Sequence, residues 1–306
     1  MRHRILSAVT AAVLGVGVVA APAQATGDLP VGTLQTAVSN FLTSPGKVAG
    51  ANDWDCVPSP EHPTPVVLVH ATFVNLGSNW AVLSPTLANA GYCVYAFNYG
   101  MTVLSAGRVG GLGDIRASAD KLRQFTDQVL QATGATQVDL VGHSQGGLMP
   151  HYYLKRLGGA PKVRAFVALA PSNHGTTLSG LTTLGRNLNL LGFANSVLTL
   201  LGAKALVQQE VDSSFQRDLF GDGDTVPGPR YTVIQTRHDR VVTPYTNAFL
   251  NGPAVRNVLL QDQCPGNPVG HIGLFADGPA LQNVLNALGP DDPAFQPTCV
   301  NYGLPL

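Results

Sequence analysis

The sequence predicts an α/β fold: an open, mostly parallel sheet with helices on both faces. Two observations carry this. Six short runs rich in β-branched and apolar residues lie at 65–70, 93–99, 137–142, 163–170, 231–236 and 255–261, and near-continuous apolar runs of that length suit strands covered on both sides. Between them lie segments with helical spacing, Trp80 to Ala90, Asp114 to Thr133 and Gly147 to Leu157. Strand alternating with helix is the pattern of a parallel sheet.

The elements follow in chain order. "PVVLVH" and "CVYAFNY" are the first two strands, with the helix from Trp80 between them. In the helix from Asp114, Ile115, Leu122, Phe125, Val129 and Leu130 form one apolar stripe, while Arg116, Asp120, Lys121, Arg123 and Asp127 fall elsewhere. "QVDLVG" is the third strand and leads directly into the helix that ends near Leu157. "VRAFVALA", "YTVIQT" and "VRNVLLQ" complete the sheet. Ligands on such sheets bind at the carboxyl ends of the strands.

Composition narrows the class. The first 25 residues have a basic start at Arg2 and Arg4, an apolar stretch from Ile5 to Ala20 and a small-residue ending at Ala23 and Ala25. That is the layout of a secretory signal peptide, which places the start of the exported chain near Thr26 and leaves no integral membrane segment after cleavage. From 26 to 306 there is no linker or composition break, so one large domain is expected. Of the 18 basic residues, removal of Arg2 and Arg4 leaves 16 against 18 acidic, a formal charge of minus two; nucleic acid is not an expected partner. Only 12% of residues are charged while 45% are hydrophobic, which suits an extracellular protein that makes transient contact with a lipid interface. Four cysteines in an exported chain read as two disulfides. The pairing with the shortest loops, Cys56 with Cys93 and Cys264 with Cys299, is worth about 4 kcal/mol per bridge by chain entropy.

The chemistry centres on "GHSQG". Five residues with three fixed positions carry little weight alone, but here a buried strand precedes Ser144 and an apolar-striped helix follows it. A strand-to-helix reversal on a serine is a nucleophile elbow, in which Gly142 and Gly146 leave room for the turn. Such a serine needs a base and an acid in the order Ser, Asp or Glu, His. His3, His62, His70 and His143 precede Ser144, and His151 sits two turns along the same helix. His174 has no acid between itself and Ser144, and His238 adjoins Asp239. His271 remains. Its acid is Asp239, just beyond "YTVIQT", with Asp262 as runner-up. The negative oxygen of the tetrahedral intermediate needs donors: the backbone N–H of Gln145 after the nucleophile, and that of Thr72 in the loop after the first strand.

Four ordered motifs, "PVVLVHATFVNLGSNWAVLSPTLANAGYCVYAFNYG", "GHSQGG", "RHDRVVTPYTNAFLNG" and "GHIGL", make the chain resemble the secreted bacterial class 2 triacylglycerol lipases and esterases of the α/β-hydrolase fold, from about Asp53 to Cys299. The resemblance implies hydrolysis of an ester or lipid substrate without an organic cofactor, through Ser144, Asp239 and His271. One departure stands out. The family usually has His-Gly in the oxyanion loop, where this chain has His70 and Ala71; if the glycine served a positive φ, alanine would strain the loop.

Leu178 to Val207 is thirty residues with only Arg186 and Lys204 charged. Two expectations compete: an apolar helical cap over the site, within 173–215, or ordinary helix packing on the sheet; its place after the fourth strand favours the cap. Asp222 and Asp224 in "FGDGDTVPG" lack further ligand spacing, so no metal site is expected. Three other readings share the scaffold: a polyester hydrolase, an acyltransferase with the same triad, and a catalytically silent lipid-binding protein.

Overall fold

The computed structural model describes residues 28–190 and 203–306. The expected leader, 1–25, and the middle of the apolar segment, 191–202, lie outside the described residues. Six strands form one parallel sheet: β1 (Val66–Val69), β2 (Val94–Phe97), β3 (Val138–His143), β4 (Val163–Leu169), β5 (Arg230–Gln235) and β6 (Val255–Leu259), in the order β2-β1-β3-β4-β5-β6. Each lies within or one residue beside an apolar run of the sequence. Ten helices surround them among the described residues: α1 (Leu34–Thr43), α2 (Leu76–Asn79), α3 (Leu83–Asn89), α4 (Ile115–Thr133), α5 (Gln145–Arg156), α6 (Leu178–Leu190), α7 (Lys204–Gln208), α8 (Ser214–Phe220), α9 (Leu260–Gln263) and α10 (Gly278–Leu288).

The period of two in the strands divides the core. Val66 and Leu68 face a cluster closed by Trp80, Leu83 and Leu281, while Val67 and Val69 face one closed by Leu122, Leu148 and Phe215. Both faces of the inner strands are covered, so those strands carry little polar alternation, while β6 at the sheet's edge is part-exposed and carries Arg256 and Asn257. His151 on α5 sits inside the second layer, its ring against Phe166, Phe220 and Tyr231. A third cluster lies at the carboxyl edge, where Phe41, Phe73, Leu181, Leu184 and Ile272 meet.

Helix starts follow their caps. Asp114 accepts from Arg116 N at 2.8 Å and opens α4, and Gly134 closes it at φ 69°. The helix expected over 80–90 is instead two pieces. Asn75 and Ser78 form a reciprocal cap that starts α2 earlier, and Trp80 ends it before α3 begins at Leu83. The helix expected from Gly147 begins at Gln145 and runs through Pro150. The cysteines pair as Cys56–Cys93 and Cys264–Cys299, with Cα atoms 5.8 and 5.5 Å apart.

The turn between β3 and α5 leaves no room for a side chain at its glycines. A Cβ on Gly142 would lie 2.0 Å from the Gly146 carbonyl oxygen, and one on Gly146 would lie 2.0 Å from that of Val69. Gly146→Ala should therefore cost about 2 kcal/mol or more through backbone overlap, whereas Gly134→Ala, with open space but a left-handed φ, should cost about 1 kcal/mol. Urea unfolding of the two variants measures the difference, and equal losses would contradict the packing argument.

Candidate active site

Ser144 lies at the carboxyl end of β3 with φ 55° and ψ −121° and is 2% exposed. A β-carbon at positive φ is strained, and the turn is held by neighbours on both sides. Ser144 N donates to Leu169 O at 2.9 Å and Gly147 N donates to Ser144 O at 2.8 Å. The first turn of α5 begins at the next residue, so its free N–H groups open beside the serine.

Asp239 and His271 come together from two other loops. Asp239 follows β5, and its Oδ1 accepts from Val241 N and Val242 N at 2.7 and 2.8 Å. Its Oδ2 meets His271 Nδ1 at 2.9 Å, with both side chains buried. Because a carboxylate only accepts, Nδ1 carries the proton and Nε2 is left as the basic nitrogen. Nε2 is buried and has no hydrogen-bond partner among the described residues. Asp262 lies elsewhere: it is 70% exposed and pairs with Arg237 at 3.0 Å. His174 pairs with Asp224 at 3.3 Å. Asp224 also accepts from Asn251 N, and Asp222 binds Lys155 and Arg156. Among the described residues no group of three or more His, Cys, Asp or Glu could hold a metal ion.

The main chain around His271 is held by a segment that carries no motif. Gly270 N donates to Leu304 O at 2.9 Å and Ile272 N donates to Leu306 O at 2.7 Å. Glycine is required on both sides, since a Cβ on Gly270 would lie 2.6 Å from Leu306 O and one on Gly273 would lie 2.1 Å from Leu304 O. Downstream, the buried Asp277 accepts from Asn267 Nδ2 and from Gly303 N, tying the loop to the same segment. The Cys264–Cys299 bridge closes this arrangement.

Thr72 and Gln145 are neighbours. Gln145 Nε2 donates to Thr72 Oγ1 at 3.1 Å and to Gly111 O at 2.9 Å. Gln209, which sequence reasoning missed, donates to the same hydroxyl at 3.2 Å and accepts from Ser172 Oγ at 3.1 Å. Its only trace in the sequence is a polar end to an apolar segment. Ala71 is not among the residues with positive φ; that conformation falls on Phe73, at 68°. Alanine therefore brings no backbone strain to the oxyanion loop. Ala71 N donates to Asn79 Oδ1 at 2.8 Å, and the His70 ring spans Ala71 O at 2.8 Å and Tyr99 N at 3.3 Å. Those partners assign the proton to Nδ1, and burial pushes the pKa of His70 down to about 4.

A narrow cavity of about 30 Å³ lies against Thr72, His143 and His271, walled by Ala37 of α1, Leu184 of α6 and Phe275. Typical ligand pockets hold about 300 Å³ or more. The start of α6 is docked on the acid loop: Thr176 Oγ1 donates to Val241 O, Thr177 and Thr243 hydroxyls meet at 2.8 Å, and a Cβ on Gly180 would overlap Val241 O.

A serine on a strained strand-to-helix turn of an all-parallel six-stranded sheet, with a paired histidine and aspartate on loops at the same edge, defines the α/β-hydrolase fold. The structure is similar to the crystal structure of Aspergillus fumigatus lipase B, with a TM-score of 0.60 at 22% identity over 82% of this chain and 63% of that one, a likeness of fold. The sequence is 37% identical over 115 residues to a triacylglycerol lipase of Pseudarthrobacter phenanthrenivorans, covering 36% of this chain and 33% of that protein. It is equally similar to one of Burkholderia plantarii, covering 36% and 29%. The chain thus spans about a third of the length of these curated relatives. Residues 63–271 match the family Lipase (class 2), and the chain belongs to that family.

Two outcomes follow from this geometry. Replacing Cys264 and Cys299 by serine should lower turnover at temperatures where the far-ultraviolet circular dichroism of the sheet is unchanged, because the bridge serves the loop of His271. Coincident loss of activity and ellipticity would contradict that role. Burial also lowers His143 and His151 to about 3. Folded pKa values below the unfolded value of about 6.5 mean that the unfolded chain takes up protons first, so these histidines contribute stability above about pH 6.5 and lose it as pH falls toward about 3. His151→Phe should narrow the gap in unfolding free energy between pH 7 and pH 5 by about 2 kcal/mol, measured by urea titration; an unchanged gap would rule out a neutral buried His151.

Proposed function

We propose that the protein is an exported carboxylic ester hydrolase of the lipase and esterase type, acting through an acyl-enzyme. The observation that carries this reading is the buried Asp239–His271 contact at 2.9 Å, which leaves His271 Nε2 basic at the sheet edge that carries Ser144. His271 takes the Ser144 proton as Oγ attacks the ester carbonyl, and the negative oxygen rests on the N–H groups of Thr72 and Gln145. His271 returns the proton to the departing alkoxide, and alcohol leaves. Water then repeats the sequence on the acyl-enzyme and releases the acid. Asp239 fixes the tautomer and stabilises the imidazolium. Catalytic hydrogen bonds are often long without substrate and tighten as it binds, which accommodates the unpartnered Nε2.

The substrate in this reading is a lipid ester, supported by the family, by the names of the two relatives and by the apolar walls of the cavity. α6 and α7 form the cap, and Leu184 beside His271 favours that over packing elsewhere on the sheet. A long acyl chain requires Ala37 and Leu184 to part. Export is supported by the layout of residues 1–25 and by the two disulfides, which persist in oxidising compartments. Among the described residues no helix is long and apolar enough to cross a membrane.

The test is turnover of p-nitrophenyl esters from short to long and of emulsified triglyceride. Ser144→Ala and Asp239→Asn should lose at least about 10³-fold and about 10²- to 10⁴-fold in kcat. Turnover that survives Ser144→Ala would overturn the assignment. Binding without turnover by the unaltered protein would favour a silent lipid-binding protein, and ester exchange to an added alcohol in preference to water would favour an acyltransferase.

A further inference from the structure

We propose that His143, the residue immediately before Ser144, is a positioning residue that holds the main chain of His271 in register with the nucleophile. The inference rests on the reading of His271 as the base. His143 ends β3, is 4% exposed, and its Nε2 lies 3.1 Å from the carbonyl oxygen of His271. A carbonyl only accepts, so Nε2 carries the proton and donates it, and Nδ1 is left bare. Nδ1 is buried without a partner among the described residues, so this one bond is the polar contact that the ring makes.

The bond completes a set. The amides on either side of His271 are engaged by Leu304 and Leu306, and its Nδ1 by Asp239; the carbonyl, which also opens the 3-10 turn Ile272–Ala276, is tied to β3 by His143. Because His143 and Ser144 are consecutive, the bond refers the base loop to the same strand end that carries the nucleophile, across 128 residues of sequence. A misplacement of about 1 Å costs on the order of 10² in rate, so a single short reference to β3 has leverage on kcat. The two imidazoles are 5.3 Å apart. Burial keeps His143 neutral while His271 takes up its proton, so the neighbour adds no positive charge beside the imidazolium.

His143 also lines the cavity beside Thr72, and the experiment must separate the two roles. His143→Gln keeps an N–H donor of similar reach, and His143→Met removes the donor at nearly constant volume. With a soluble p-nitrophenyl ester, the methionine variant should lose about 10- to 100-fold in kcat with KM within about twofold, and glutamine should restore most of kcat. His143→Phe serves as a second variant without the donor. Equal kcat in the glutamine variant and the variants without a donor overturns the proposal, as does a rise in KM at unchanged kcat, which would assign His143 to the cavity wall. Failure of both variants without the donor to fold, with glutamine folding normally, also overturns it, since the bond would then serve stability. Ser144→Ala run alongside distinguishes this failure from that of the proposed function: turnover there would remove the base itself from the argument.

Discussion

Everything at the carboxyl edge depends on how closely the β3–α5 turn lies against the end of β1. With Gly146 directly over the carbonyl of Val69, the first turn of α5 meets the oxyanion loop with no side chain between them. Thr72 and Gln145 are neighbours for that reason, and the Gln145 side chain can span Thr72 and Gly111. A β-carbon in the middle would push the helix outward and separate Thr72 from Gln145. The strain at Ser144 is tolerated because the sheet hydrogen bond to Leu169 and the glycines on each side leave it no lower-energy alternative.

Around that contact the site is assembled from loops that are distant in sequence but share one edge of the sheet. β1, β3 and β5 supply Thr72, Ser144 and Asp239 at their ends, and the parallel arrangement puts those ends on one edge. His271 has no strand directly beneath it. Its place comes from bonds made by Asp239, His143 and the segment around Leu304, with Asp277 and the Cys264–Cys299 bridge fastening the surroundings. Positional order at the base is thus borrowed from several elements.

Those different origins explain what could be read in advance. The six strands were legible because burial on both faces demands uninterrupted apolar runs. The elbow was legible because steric exclusion demands glycine at 142 and 146. Chain order left Asp239 and Asp262 as alternatives, and only the geometry brings Asp239 to His271 while Asp262 turns to Arg237. The helix near Trp80 was misjudged because its start is set by a cap at Asn75 rather than by apolar spacing. Gln209 had only the polar end of an apolar segment to signal it, and His143 and Leu304 to Leu306 had no readable signal. Gln209 acts through a side-chain amide in a buried network, His143 occupies the variable position of the motif, and the last group acts through main-chain carbonyls that any residue possesses.

The pairing of Leu304 and Leu306 with the loop of His271 also bears on the order in which the chain becomes competent. During synthesis the strands that carry Ser144 and Asp239 emerge well before residues 304–306. The elbow and the acid can therefore take shape while the base loop still lacks two backbone bonds and the bridge to Cys299. Ser144 and Asp239 can thus be in place before the loop of His271 is fixed, and the three come into register only once residues 304–306 have been made and Cys264 is joined to Cys299.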